Sequence, residues 1–309
     1  MQSMDSPQPE PRDRTIAVWF YALAATSWVQ IAFGALVRAK KAGLACPDWP
    51  LCHGALVPSL KLTGVVYEYG HRLFALVVSA LFVGCAIRVY RDQELRQRLR
   101  KRVIALGSLL ALQIVVGGLT VLIVHRGDGD PRPAGWTVVI HLVLGNLFAA
   151  IALVTGLTAR APASPAAGNA RTPALLWLWT ISLVLQFLLG GAIAGTIAGL
   201  VCTEFPTCYG GLWFPSFQGA VGWQILHRLN AYLLVATAIG ATVAWKGQPQ
   251  LRRIAMMLLV LVLAQAAVGA INIFSFLHTA VTTAHSLLAA LLFSTTAAAW
   301  HWARQGSPP

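Results

Sequence analysis

Several stretches of 18 or more residues in this chain carry no acidic or basic side chain, and eight apolar runs can be read: about 16–37, 65–87, 103–124, 136–159, 173–200, 221–245, 254–277 and 279–303. At about 1.5 Å rise per residue, a helix of that length crosses the roughly 30 Å hydrocarbon core of a bilayer. None of the runs alternates polar with apolar residues, as the strands of a membrane barrel would. With 57% apolar residues and only 11% charged among 309, a soluble domain is excluded. The expected fold is an all-α integral membrane protein of eight transmembrane helices.

The net charge of +13 does not point to nucleic acid, because of where it lies. Seven basic residues crowd 88–102 (Arg88, Arg91, Arg96, Arg98, Arg100, Lys101 and Arg102), on the same side as Arg12, Arg14, Arg160, Arg171, Lys246, Arg252, Arg253 and Arg304. The opposite side has Arg38, Lys40, Lys41, Lys61, Arg126 and Arg132. The positive-inside rule then places both termini in the cytoplasm of a multi-pass plasma-membrane protein. The Pro-rich start, residues 1–15, reads as a cytoplasmic tail without a removed signal peptide.

The chain is written twice. CPDWPLCHG (46–54) and CTEFPTCYG (202–210) match at an offset of 156, which pairs Cys46 with Cys202, Cys52 with Cys208, Asp48 with Glu204 and Pro50 with Pro206. The same offset relates Gln30 and Gly34 to Gln186 and Gly190, and His71-Arg72-Leu73 to His227-Arg228-Leu229. Weaker echoes are Gln113-x3-Gly117 and Gln265-x3-Gly269, followed by His141 and His285. The expectation is two tandem pseudo-symmetric four-helix bundles, 16–159 and 174–303, joined by a cytoplasmic linker over 160–173 and closed by a tail over 304–309. Four spans per copy insert both copies with one orientation. The recurring glycines are expected to serve close helix packing.

Ionisable side chains inside spans are costly and mark function. His71, His141, His227 and His285 stand near the starts of spans 2, 4, 6 and 8, hence at one depth toward the outer leaflet, two per half. Zinc asks for four N, S or O ligands, and each half offers two histidines at this level. A haem asks for two axial nitrogens and an apolar slot, which a helical bundle supplies. The pattern points to one bis-histidine haem pocket per half. His53, His125, His278 and His301 fall outside it.

One asymmetry crosses the repeat. Glu68 stands three residues before His71, on the same helix face, and its counterpart is Gln224. A carboxylate can accept a proton or stabilise a developing cation where an amide cannot. The halves are therefore alike in form and unlike in chemistry. Arg72 and Arg228, each following its histidine, suit haem propionates or snorkel to the membrane surface.

Together, CPDWPLC and CTEFPTC in outer loops, EYGHR in span 2, ILHRLN in span 6 and the histidines His141 and His285 in spans 4 and 8 resemble the haem A synthase family over about 16–303. The resemblance implies an enzyme of cytochrome oxidase biogenesis that oxidises the C8 methyl of haem O to a formyl group. The path runs through hydroxymethyl and geminal diol to haem A, with oxygen drawn from water. It implies His71 and His141 as axial ligands of the substrate haem, Glu68 as catalytic carboxylate, and His227 with His285 as ligands of a haem b cofactor. Haem O synthase, a farnesyltransferase, and oxidase assembly factors are the implied partners beside the lipid bilayer, and a homo-oligomer stays open. A di-haem cytochrome b passing electrons from quinol to another carrier would need the same ligands. A transporter with inverted repeats is disfavoured by the parallel four-span copies.

The cysteine loops admit three readings. Covalent haem attachment needs two residues between the cysteines, where these loops have five, and His53 is unrepeated because its counterpart is Tyr209. Zinc lacks ligands. An outward-facing pair in an oxidising compartment favours disulfides, Cys46–Cys52 and Cys202–Cys208, with Cys85 left unpaired. The loops would then act as lids over the two pockets, with thiol chemistry in the first still open.

Overall fold

The computed structural model describes residues 10–125, 131–160, 174–196 and 198–305. The linker expected over 160–173 lies outside the described residues from 161 on, as do 1–9 and 306–309 of the two tails. Among the described residues the chain forms eight long helices: α1 (Pro11–Ala39), α2 (Val65–Arg91), α3 (Gln93–Leu122), α4 (Gly135–Arg160), α5 (Ala174–Gly195), α6 (Gly219–Ala244), α7 (Pro249–Phe274) and α8 (Thr279–Gln305). A two-residue pair of strands, β1 (Val124–His125) and β2 (Arg132–Pro133), precedes α4.

Seven of these helices are long and apolar enough to cross a membrane. The exception is α6, which carries Gln224, His227, Arg228 and Asn230 within its first turns, so the expectation of eight apolar spans is met by seven helices on composition. Local chemistry sets the helix ends. α1 starts at Pro11, ahead of the expected span at 16, because proline at the first helical position gives up an N–H that has no partner there anyway. The Asp92 Oδ1 accepts from the backbone N–H of Glu94 and Leu95, both at 3.0 Å, and so opens α3 one residue after α2 closes.

Two apolar clusters fill the end of the molecule opposite the cysteine loops. One joins Ile16–Ala24 of α1 to the far ends of α2 and α4 and the start of α3; the other does the same for α5 to α8. The helices are thus packed solid at one end, leaving the polar residues of the repeat at the other.

The two halves close differently. α1 and α4 make the most extensive contact in the molecule, whereas α5 and α8 approach far less. Small residues explain the first: Gly156 of α4 lies against Tyr21, and Ala17, Ala24, Ala149 and Ala152 are buried between the helices. Tryptophans explain the second, spanning the wider gap with indole N–H bonds from Trp179 to Thr296 Oγ1 and from Trp300 to Thr180 Oγ1, each 2.8 Å. α8 packs instead on α1 and α4 of the other half, with Trp28 Nε1 donating to Ser294 Oγ at 3.0 Å.

Candidate functional site

Each of the four histidines of the repeat rests in the same seat. The imidazole Nε2 of His71 meets the Gln30 amide at 3.3 Å, His141 meets Gln113 at 3.3 Å, His227 meets Gln186 at 3.2 Å and His285 meets Gln265 at 3.3 Å. One turn beyond each glutamine a glycine leaves room for the ring. A Cβ on Gly34, Gly117, Gly190 or Gly269 would stand 3.1, 3.0, 3.2 or 3.2 Å from the Cε1 of its histidine. The expectation that these glycines serve helix packing is therefore refined: they make the seats of the rings. In α1, α3, α5 and α7 the Q-x3-G spacing places amide and hollow on one helix face.

Where the amide N–H donates to Nε2, that nitrogen carries the lone pair and the neutral ring holds its proton at Nδ1. The Nδ1 atoms of all four rings are buried without a partner. A long amide bond at Nε2 is readily exchanged for a ligand, and neutral imidazole nitrogen is what an iron takes. The seats fit a haem group on this count. The repeat groups the four as two pairs, His71 with His141 and His227 with His285.

Above the seats lie the two cysteine loops, closed by the disulfides Cys46–Cys52 and Cys202–Cys208, with Cys85 buried and free. Both have a cis peptide before Pro50 or Pro206. Each loop is stapled by its own carboxylate. Asp48 accepts from the N–H of His53 at 2.6 Å and of Gly54 at 2.8 Å. Glu204 accepts from Gly210, Gly211 and the Thr207 hydroxyl at 2.7–3.0 Å. Gly54 has a φ of 72°, a conformation that favours glycine. The Gly54 and His53 donors hold the Asp48 carboxyl below its ordinary range, and the Thr207 hydroxyl with the Gly211 and Gly210 amides does the same for Glu204.

The arginines after His71 and His227 reach up into these loops. Arg72 donates to the carbonyls of Asp48 (3.0 Å) and Leu51 (2.7 Å). Arg228 donates to those of Thr207 (2.5 Å) and Cys202 (3.2 Å). Beneath the first loop, Glu68 is buried, with Oε1 accepting from Arg72 at 2.6 Å and Oε2 from the Cys46 N–H at 2.8 Å. Gln224 instead donates to the carbonyls of Ala198 and Gly199 at 3.1 and 2.9 Å. An ion pair in one half is matched by neutral amide bonds in the other.

A family model described as cytochrome oxidase assembly protein matches residues 17–63 and 61–297. The "Heme A synthase" of Shouchella clausii is 30% identical and covers 84% of this chain and 88% of its own length. The chain belongs to the haem A synthase family. Other members so named are those of Symbiobacterium thermophilum, 29% identical over 81% of this chain and 83% of its own length, and of Chelativorans, 24% identical over 95% and 92%.

In this member of the haem A synthase family, the structure brings Glu68, Arg72 and the Cys46–Cys52 loop together and seats His71 and His141 below them. His53 lies in the loop, its Nε2 at 2.9 Å from the Ala45 carbonyl oxygen, away from the seats. Sequence reasoning noticed the glutamines only as marks of the repeat, and it passed over Asp48 and Glu204 as staples. The signal for the first was present: Q-x3-G recurs in four helices, each preceding the helix that carries its histidine.

Proposed function

We propose that this chain is a haem A synthase, oxidising the C8 methyl of haem O to the formyl group of haem A for cytochrome oxidase. The observation that carries the reading is the set of four Gln–Gly–His seats, two per half, with a carboxylate beneath one lid and an amide beneath the other. Family membership supports the same reaction. The eight helices act as two tandem four-helix units, both cysteine loops on the outer face of the plasma membrane and both termini in the cytoplasm.

In the N-terminal unit, His71 and His141 hold the substrate haem by its iron, and the lid excludes bulk water. Two successive two-electron oxidations of a methyl group, each adding water oxygen and passing its electrons to an external acceptor with release of two protons, give hydroxymethyl and then a geminal diol that loses water to the aldehyde. Glu68 is the group placed to act on them. Its carboxylate stabilises positive charge developing at the methyl carbon and takes the proton of the attacking water. Arg72 and the Cys46 N–H hold it in place between turnovers. Because the second contact belongs to the lid, lid position and carboxylate position are tied. In the C-terminal unit His227 and His285 would hold haem b, which supplies a one-electron iron couple when bound; Gln224 leaves that site without a base. Arg72 and Arg228 stand at the outer rims, where acidic porphyrin edges belong.

Co-expression with a source of haem O and extraction of pigments tests this. Wild-type protein should yield haem A, and Glu68→Gln should keep its bound haem while haem A falls at least tenfold. Full conversion by Glu68→Gln with normal haem content would remove Glu68 from the chemistry. Bound haem with no haem A from wild type would favour an electron-transferring cytochrome b.

A further inference from the structure

The most unusual cation in the fold is one that neither lid uses. Arg38 lies at the end of α1, at the depth of the seats, and its side chain is exposed, with no hydrogen bond or ion pair to it among the described residues. Its position relative to the other half follows from one bond. Trp28 of α1 donates to Ser294 of α8, and the two helices run in opposite directions. Ten residues on from Trp28 is Arg38 and nine residues back from Ser294 is His285, about 15 and 13.5 Å along their axes. The seam between the halves thus sets Arg38 level with His285, on the helix against which α1 packs.

The repeat isolates this arginine. At the offset of 156, its counterpart in α5 is Ala194, so no such cation reaches from the second half toward His141. The other arginines of the two sites already have partners: Arg72 is neutralised by Glu68, and both Arg72 and Arg228 donate to lid carbonyls. A guanidinium with its planar fork unengaged, beside a seat for a porphyrin, matches a carboxylate. Resting on the assignment of haem b to His227 and His285, we propose that Arg38 is a positioning residue contributed by the N-terminal half, binding an acidic side chain of the haem held in the C-terminal half. The second site is then made by both halves. It also holds Arg228 and Arg38 with Gln224 in place of a carboxylate, so it is more positive than the first. Uncompensated cations favour the reduced state of the group they flank.

The test uses purified full-length protein with its bound haem, titrated spectroelectrochemically. The C-terminal haem is identified as the one lost in His285→Ala. Arg38→Gln should lower the midpoint potential of that haem, weaken its retention during purification and leave the other haem unmoved. Arg38→Lys should fall between Arg38→Gln and wild type. Unchanged potential and retention in Arg38→Gln overturn the proposal, as do equal shifts in both haems. Should Arg38→Gln not accumulate, Arg38→Lys decides: a downward shift confined to one haem supports the proposal, and a shift in neither or both overturns it. If His285→Ala loses no haem, the pocket assignment itself fails, and the Arg38 proposal falls with it.

Discussion

At Gly117 the added methyl of alanine would stand 3.0 Å from the Cε1 of His141, closer than packed carbons tolerate, so the imidazole must tilt. Overpacking of this kind costs about 1–3 kcal/mol, and the tilt moves the nitrogen on which a ligand depends. Gly117→Ala should therefore lower both the thermal stability of the detergent-solubilised protein and its haem content. Gly240 of α6 is the control, since a Cβ there meets nothing within 4 Å. Gly240→Ala should keep full haem content and gain up to about 1 kcal/mol from helix propensity. Both glycines sit in helices and look alike in sequence. Only the Q-x3-G context separates them, and it identifies a seat once the ring that fills it is known.

At the scale of elements, the helices are tied by polar contacts near the end opposite the lids. Asp13 of α1 is 4% exposed and receives two bonds of 3.1 Å from Arg98 of α3, which also donates to the Thr158 and Ala159 carbonyls of α4. One side chain thus joins three helices. Asp13→Ala should cost about 2 kcal/mol in thermal or denaturant unfolding, below the roughly 3–5 of a fully buried pair, because Arg98 is partly solvated and keeps its carbonyl partners. The lids are tied by carboxylates of depressed pKa, so the sign is that of an acid stabilised in its charged form. Their contribution is complete above the ordinary carboxylate values near 4 and is lost as pH falls through the lower folded values. Limited proteolysis of the loops should be flat from about pH 7 to 5 and rise only at stronger acidity. In Asp48→Asn the first loop should already be cleaved readily at neutral pH.

For the whole molecule, the sequence made the duplication, the helical class and the four histidines legible, because an offset of 156 and charge-free runs are one-dimensional signals. What stayed hidden depends on contacts between segments far apart in the chain. The weak approach of α5 to α8 goes with Trp179 and Trp300 bridging those two helices, whereas Gly156 lets α4 close on α1, a difference visible only once the helices face each other. The tie of Glu68 to the Cys46 N–H likewise spans 22 residues, and the level of Arg38 depends on Trp28 meeting Ser294. The central claim is that two copies of one seat do different work under two similar lids. Its most direct measurement is identification of the haem retained by purified His71→Ala/His141→Ala and His227→Ala/His285→Ala proteins after co-expression with a haem O source. The account predicts that the first variant keeps haem b and lacks haem O and haem A, while the second loses haem b and still carries the farnesylated haem. The same mixture of haems in both variants would contradict it.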